Sequence, residues 1–279
     1  MNITTLLDKV YFAPRLKKID FYANRAGELQ HRVLDRLVRM AENTEWGKKY
    51  DYKSIHTYED FRNRLPIQTY EEVKPYVERL RAGEQNLLWP SEIRWFAKSS
   101  GTTNDKSKFL PVSKEALNDT HYQGGKDAVA LYLGQNPDSR FFSGQGLILG
   151  GSHSPNLNSR HGLVGDLSAI LIQNIHPLVN CVRVPSKKIA LMSDFEKKIE
   201  AIANSAISKD VTSLSGVPSW MLVLIKRILE KTGKQSLEEI WPNLEVFFHG
   251  GVAFTPYREQ YKEVIRSPKM HYVETYNAS

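Results

Sequence analysis

The stretch Lys98-Ser99-Ser100-Gly101-Thr102-Thr103-Asn104-Asp105-Lys106-Ser107-Lys108 gathers hydroxyls, one glycine and several lysines between apolar flanks that read as strands. Such a mixture can hold phosphate. Backbone N–H groups near Gly101 turn inward only where no Cβ blocks them, the Ser and Thr hydroxyls add donors, and lysine supplies positive charge. It is not a Walker A loop, because no second glycine is followed directly by Lys-Ser or Lys-Thr at the required spacing. Hydroxyl- and Asn/Asp-rich stretches also make plain surface turns, so this stretch alone leaves both readings open.

The flanking pattern determines how such a loop would be presented. Residues 93–97 read as a strand entering it, 109–112 as an extended apolar segment leaving it, and Ser113 as the cap of a helix running through Ala116 and Leu117 towards Leu133. Strand, loop, strand, helix differs from the strand-loop-helix order in which a helix N-terminus meets the phosphates. The loop would instead fold over its ligand as a hairpin, with its own amides as donors.

Upstream, Leu29, Val33, Leu34, Leu37 and Met40 recur at helical spacing and predict one amphipathic helix over 20–41. Further helices are expected over 58–64, bounded by Pro66, and over 70–81, closed by Gly83. Downstream, 146–151 reads as a buried strand ending in glycines, and the apolar run 165–175 suits helix or strand equally. A helix over 194–207, a strand over 211–216, a helix over 220–231 entered through Pro218, a strand over 244–248, a helix over 256–265 and a short strand over 270–274 follow. This alternation predicts an α/β fold with β-sheets layered with helices.

The chain has 279 residues, 41% of them hydrophobic and 10% aromatic, enough for a large core. No low-complexity linker divides it, so a single domain over 1–279 is expected. Its net charge of +7 is dispersed among acids and apolar positions, without the concentrated basic stripe that tracks a nucleic-acid backbone. Cys181 stands alone, which excludes an internal disulfide and argues against a cysteine-based zinc site. His121, His161 and His176 lack metal-ligand spacing, and His153 lacks the Ser and Asp partners of a hydrolase triad, so no metal site is assigned. Without an apolar leader or a run of membrane-spanning length, a cytoplasmic protein with no membrane or nucleic-acid partner is expected.

Three loops follow strands: the hydroxyl-rich stretch, His249-Gly250-Gly251-Val252, and Thr275-Tyr276-Asn277-Ala278-Ser279. Ligands of open α/β sheets collect beyond such carboxyl ends. Together with Tyr70-Glu71-Glu72-Val73-Lys74-Pro75-Tyr76 and Gly216-Val217-Pro218-Ser219-Trp220, these segments resemble the GH3 family of acyl-acid amido synthetases, a branch of the adenylate-forming enzymes. The resemblance implies the large N-terminal domain of such an enzyme, with ATP and Mg²⁺ as cofactors and a carboxylic acid and an amino acid as substrates. By it, Ser99, Ser100, Gly101, Thr102, Thr103 and Lys108 lie over the β- and γ-phosphates, with Lys108 as the catalytic cation. Gly250, Gly251 and Val252 line the adenine, Tyr276 stacks on it, and Ser279 sits beside the α-phosphate or acyl oxygen. Tyr122, Lys126, Val217 and Trp220 fall where the family contacts its acid. Where the family commonly has a second loop glycine this chain has Asp105.

The family motif continues past the residue matching Ser279, so the sequence reads as the first part of a larger enzyme and is expected to be inactive alone. The implied reaction is formation of an acyl-adenylate and pyrophosphate, followed by attack of an amino-acid amine. An acyl-CoA ligase shares the first step and differs only in acceptor. A non-catalytic nucleotide-binding module is the alternative outside enzymology, and a basic RNA-binding protein a more distant one.

Overall fold

A computed structural model describes residues 3–99 and 108–276 of the chain. Its strands are β1 (Trp95–Lys98), β2 (Phe109–Val112), β3 (Gln145–Leu149), β4 (Leu163–Gly165), β5 (Arg183–Val184), β6 (Val211–Gly216), β7 (Val246–His249) and β8 (His271–Glu274). They form a three-stranded sheet in the order β2-β1-β4 and a five-stranded sheet in the order β5-β3-β6-β7-β8. The expected α/β class, sheets layered with helices, is the architecture observed. The chain divides into two compact units, each with one of these sheets.

The first unit combines the N-terminus up to Leu16 with Gly124–His153 and the chain from Leu167 onwards. Its five strands are all parallel, which explains their sequences. A parallel sheet is covered on both faces, so its strands read as continuous burial rather than alternation. Val211 to Leu214 and the whole of β7 are buried accordingly. On one face Leu147, Leu214 and Phe247 pack with Ile202, Ile225, Trp241 and Tyr261 from the helices Phe195–Ala206, Pro218–Thr232 and Arg258–Val264 and their connections. On the other, Val246 and Phe248 meet Phe12 and Ala130, Tyr132 and Leu133 of the helix Gln123–Gln135.

The second unit, Lys17–Gln123 with Ser154–Asp166, holds the small sheet. In it β1 and β2 are antiparallel, with Lys98 opposite Phe109, and β4 lies parallel to β1. Val77 and Leu80 of the helix Tyr70–Ala82 pack on Phe96 and Val164 with Leu87 and Ile93. Glu72 fixes that helix's entry by accepting hydrogen bonds from the N–H and Oγ1 of Thr69, at 2.6 and 2.7 Å.

One expectation needs correction and two are refined. The helix predicted over 20–41 is interrupted at Arg25, whose φ of −132° and ψ of 33° are not helical, leaving Ala13–Asn24 and Ala26–Ala41. Val38 and Ala41 are the buried residues of the second piece, whereas Val33, Leu37 and Met40 of the predicted stripe are exposed. The helix expected after Ser113 begins with a wider π-helical stretch, Ala116–Tyr122, before the α-helix Gln123–Gln135. The ambiguous 165–175 run resolves into β4 and the helix Leu167–Asn174.

Candidate functional site

Ser100, Gly101, Thr102, Thr103 and Ser279 lie outside the described residues. The two ends of the hydroxyl-rich stretch are defined. Ser99 donates its N–H to the Lys108 carbonyl at 3.0 Å, and the Lys108 N–H returns to Ser99 Oγ at 3.3 Å, so the hairpin pairing extends one residue beyond β1. The neck is closed by backbone and by one of the proposed phosphate-binding hydroxyls. Lys108 Nζ lies 5.5 Å from the centre of the Tyr70 ring. The Tyr70 phenol accepts from the Phe109 N–H at 2.9 Å and faces its carbonyl at 3.4 Å. Arg81, on the same helix as Tyr70, lays its guanidinium 4.1 Å from the Phe109 ring centre.

The purine-side candidates belong to the five-stranded sheet, and register brings them together. Leu149 pairs with Gly216, Gly216 with His249 and His249 with Glu274, so four parallel strands end in one row. The residues that follow, Gly150, Val217, Gly250 and Thr275, leave the sheet side by side, where ligands of such sheets bind. A Cβ on Gly250 would stand 2.2 Å from the Thr275 carbonyl oxygen, a separation only a missing side chain permits. Gly251 has a φ of 83°, and a Cβ there would stand 3.3 Å from Val217 Cγ2. Thr275 donates its N–H and its Oγ1 hydroxyl to the His249 carbonyl at 2.7 and 3.1 Å, which fixes the chain direction just before Tyr276. Tyr276, the last described residue, and Val252 are both exposed.

Two groups to which the sequence reading gave no site role support this edge. Lys198, only 2% exposed, donates from its ammonium to the carbonyls of Gly150 and Gly151 at 2.8 Å each and to Ser152 Oγ at 3.3 Å. His249 is 3% exposed, its ring stacked 4.3 Å from Phe254, and its buried Nδ1 has no hydrogen-bond partner. Burial pushes the imidazole below its ordinary value; the nearby Glu274 carboxylate opposes the shift and the Arg258 guanidinium adds to it. Neither contact has a signature in residue type, since Lys198 meets backbone carbonyls far away in sequence and the His249 ring meets Phe254 only through the path of the following loop.

The acid-side candidates are more scattered. Val217 stands at the shared edge, beside Gly251. Trp220 is 40% exposed and meets Phe195 edge-to-face with ring centres 6.0 Å apart, so it belongs to a surface cluster and not to the core. Lys126 rests its ammonium 5.6 Å from the Tyr11 ring centre. Tyr122 closes the π-helical stretch half-buried, and burial pushes its phenol up to about 12. Among the described residues, no group of three or more His, Cys, Asp or Glu side chains could hold a metal ion. Among them too, no helix is long and apolar enough to cross a membrane.

A parallel five-stranded sheet covered by helices, with its strand ends in register at the carboxyl edge, defines an α/β protein. The GH3 family N-terminal domain matches residues 15–270, and the chain belongs to the GH3 family. It is 30% identical over 103 residues to the indole-3-acetic acid-amido synthetase GH3.2 of Arabidopsis thaliana, a match covering 37% of this chain and 19% of that protein. It is 26% identical over 106 residues to the jasmonoyl–L-amino acid synthetase JAR4 of Nicotiana attenuata, covering 38% of this chain and 18% of that one. Its fold is similar to a solved AtGH3.15 acyl acid amido synthetase in complex with 2,4-DB, with a TM-score of 0.72 at 17% identity over 90% of this chain and 52% of that chain. The chain thus spans about half the length of that solved relative, and the stretches matched in the two curated relatives are about a fifth of theirs.

Proposed function

We propose that this chain binds ATP and a small carboxylic acid for an acid–amino acid ligase acting in the cytoplasm. A carboxylate oxygen attacks the α-phosphorus, the bond to the β-phosphate oxygen breaks, and pyrophosphate leaves with the electron pair. An amino-acid nitrogen then attacks the acyl carbon, the C–O bond to AMP breaks, and the amine loses a proton. The in-register row that ends at Gly216, His249 and Glu274 carries this reading, because it gathers Val217, Gly250, Gly251 and Tyr276 at one edge.

Each residue has a defined part in the proposal. Gly250 and Gly251 let backbone approach a flat purine closely, and the exposed Tyr276 ring offers it an aromatic face. Lys108, with Ser99 and the hydroxyls of Ser100, Thr102 and Thr103 and the amide of Gly101, stabilises charge that grows on the leaving pyrophosphate. Ser279 lies beside the α-phosphate. Val217 and Trp220, with Tyr122 and Lys126, form the acid side. Mg²⁺, when bound, would add positive charge to the phosphates; with no carboxylate cluster among the described residues, no step is assigned to the protein through it.

The test is exchange of labelled pyrophosphate into ATP by the protein at its full length, over a panel of carboxylic acids. One acid should support exchange, and Lys108→Ala should reduce it by about a hundredfold or more, as removal of a transition-state donor does. Exchange unaffected by that substitution would remove Lys108 from the chemistry. Offering coenzyme A against amino acids then separates a thioester-forming ligase from an amide-forming one.

A further inference from the structure

We infer that Tyr70 is the positioning residue for Lys108: its phenol ties down the strand one residue past the lysine, and its ring parks the ammonium. The inference rests on the proposed phosphate role of Lys108 and deepens it. It starts from sheet order, because among the described residues β2 lies at the edge of its sheet and pairs with β1. In an antiparallel pair, alternate residues turn their N–H and C=O towards the neighbour and away from it. The Lys108 carbonyl accepts from Ser99, so the N–H and C=O of Phe109 face outward. A bare edge can slide or frays. Here the Tyr70 oxygen meets both groups, at 2.9 and 3.4 Å, and takes the place of a neighbouring strand.

The same side chain reaches the lysine, whose Nζ is 5.5 Å from the ring centre. An ammonium over an aromatic face is held more weakly than one paired with phosphate oxygens. The ring can therefore orient Lys108 without competing with a triphosphate for it. Two features make Tyr70 a rigid support. Glu72 reaches back to Thr69 and sets the first turn of the helix, and Arg81, three turns on, clasps the ring of Phe109 and donates to the Leu157 carbonyl at 2.9 Å. One helix thus holds Phe109 by backbone and by ring, immediately after the residue that must find the phosphate.

The experiment compares Tyr70→Phe, which keeps the ring and loses the oxygen, with Tyr70→Leu, which loses both. Lysines are converted to ¹³C-dimethyl-lysine, which retains the charge, and the Lys108 signal is assigned by its disappearance in Lys108→Arg. The ring current should displace that signal upfield in the wild type and in Tyr70→Phe, and the displacement should vanish in Tyr70→Leu. Hydrogen exchange at the Phe109 amide should quicken about tenfold or more in both variants. Calorimetry with MgATP should show affinity about tenfold weaker in Tyr70→Leu and within about threefold of wild type in Tyr70→Phe.

If Tyr70→Leu keeps the displaced signal, or binds MgATP as wild type does while Lys108→Ala does not, Tyr70 does not position the lysine. If Lys108→Ala itself leaves MgATP affinity unchanged, the phosphate reading fails, and the signal displacement still reports whether the tyrosine–lysine contact exists. Should Tyr70→Leu not fold, an unchanged Phe109 exchange rate in Tyr70→Phe would overturn the inference.

Discussion

At the β1–β2 hairpin the candidate ligand group is a long side chain, Lys108, and what orients it is another side chain, Tyr70. At the carboxyl edge of the five-stranded sheet the candidate groups are mostly backbone, at Gly250 and Gly251, and strand register orients them. The first arrangement keeps a charge over a partly exposed ring and depends on a few contacts. The second is fixed by a dry core in which Phe247, Trp241 and Tyr261 are wholly buried. A phosphate tail, flexible and charged, suits a reaching cation; a rigid ring suits a fixed surface. Substitutions at the hairpin should therefore change ligand affinity with little change in stability, and substitutions at the edge should change both together.

Lys198→Met should have the largest effect on stability. It replaces a buried ammonium by an isosteric apolar chain and leaves the carbonyls of Gly150 and Gly151 without that donor. At about 1–3 kcal/mol for each buried group stranded, the melting temperature should fall by about 10 °C. Thermal unfolding beside Lys108→Ala, which should hardly move it, tests the contrast directly. A Lys198→Met protein as stable as wild type would mean that the edge is not rigidly built.

Gly250→Ala comes next. A Cβ 2.2 Å from the Thr275 oxygen must push two backbone segments apart. Such overpacking costs about 1–3 kcal/mol, and because the shifted segments are the proposed purine contacts, MgATP affinity should weaken as well. Gly124→Ala is the matched control: nothing lies within 4 Å of its Cβ position, and it sits in the helix Gln123–Gln135. There alanine should stabilise by roughly 0.5–1 kcal/mol. Equal behaviour of the two variants in denaturant titration would count against a tight approach at Gly250.

These residues also show what the sequence could and could not reveal. The hairpin strands, β6 to β8 and the glycine exits were legible, because strands bounded by Gly and Pro leave a local pattern. β4 and β5, three and two residues long, are too short to show any periodicity. In the helix Ala26–Ala41 the period was readable and the buried face was not, since Val38 rather than Val33 faces the interior for reasons set by distant partners. The contacts of Tyr70 and Lys198 were illegible in the same way. A tyrosine opening a helix and a lysine within one look ordinary until the strand edge or the carbonyl pair they serve is seen in space.

The smallest effect should be a pH dependence confined to the edge. Burial favours the neutral form of His249, so its native pKa lies below the ordinary 6.5. As pH falls through that ordinary value the unfolded chain takes up a proton that the native His249 resists, and stability declines; as pH rises the contribution returns. Glu274 pulls against this shift and Arg258 adds to it, so the net effect should be modest. The chain has seven other histidines, which makes the useful quantity a difference of differences. His249→Phe should lose less stability than wild type between pH 7.5 and 5.5, whatever its stability at the upper pH. Equal losses would mean that His249 is hydrated and protonates freely, and an edge wet enough to allow that would no longer differ from the hairpin in being held by a dry core.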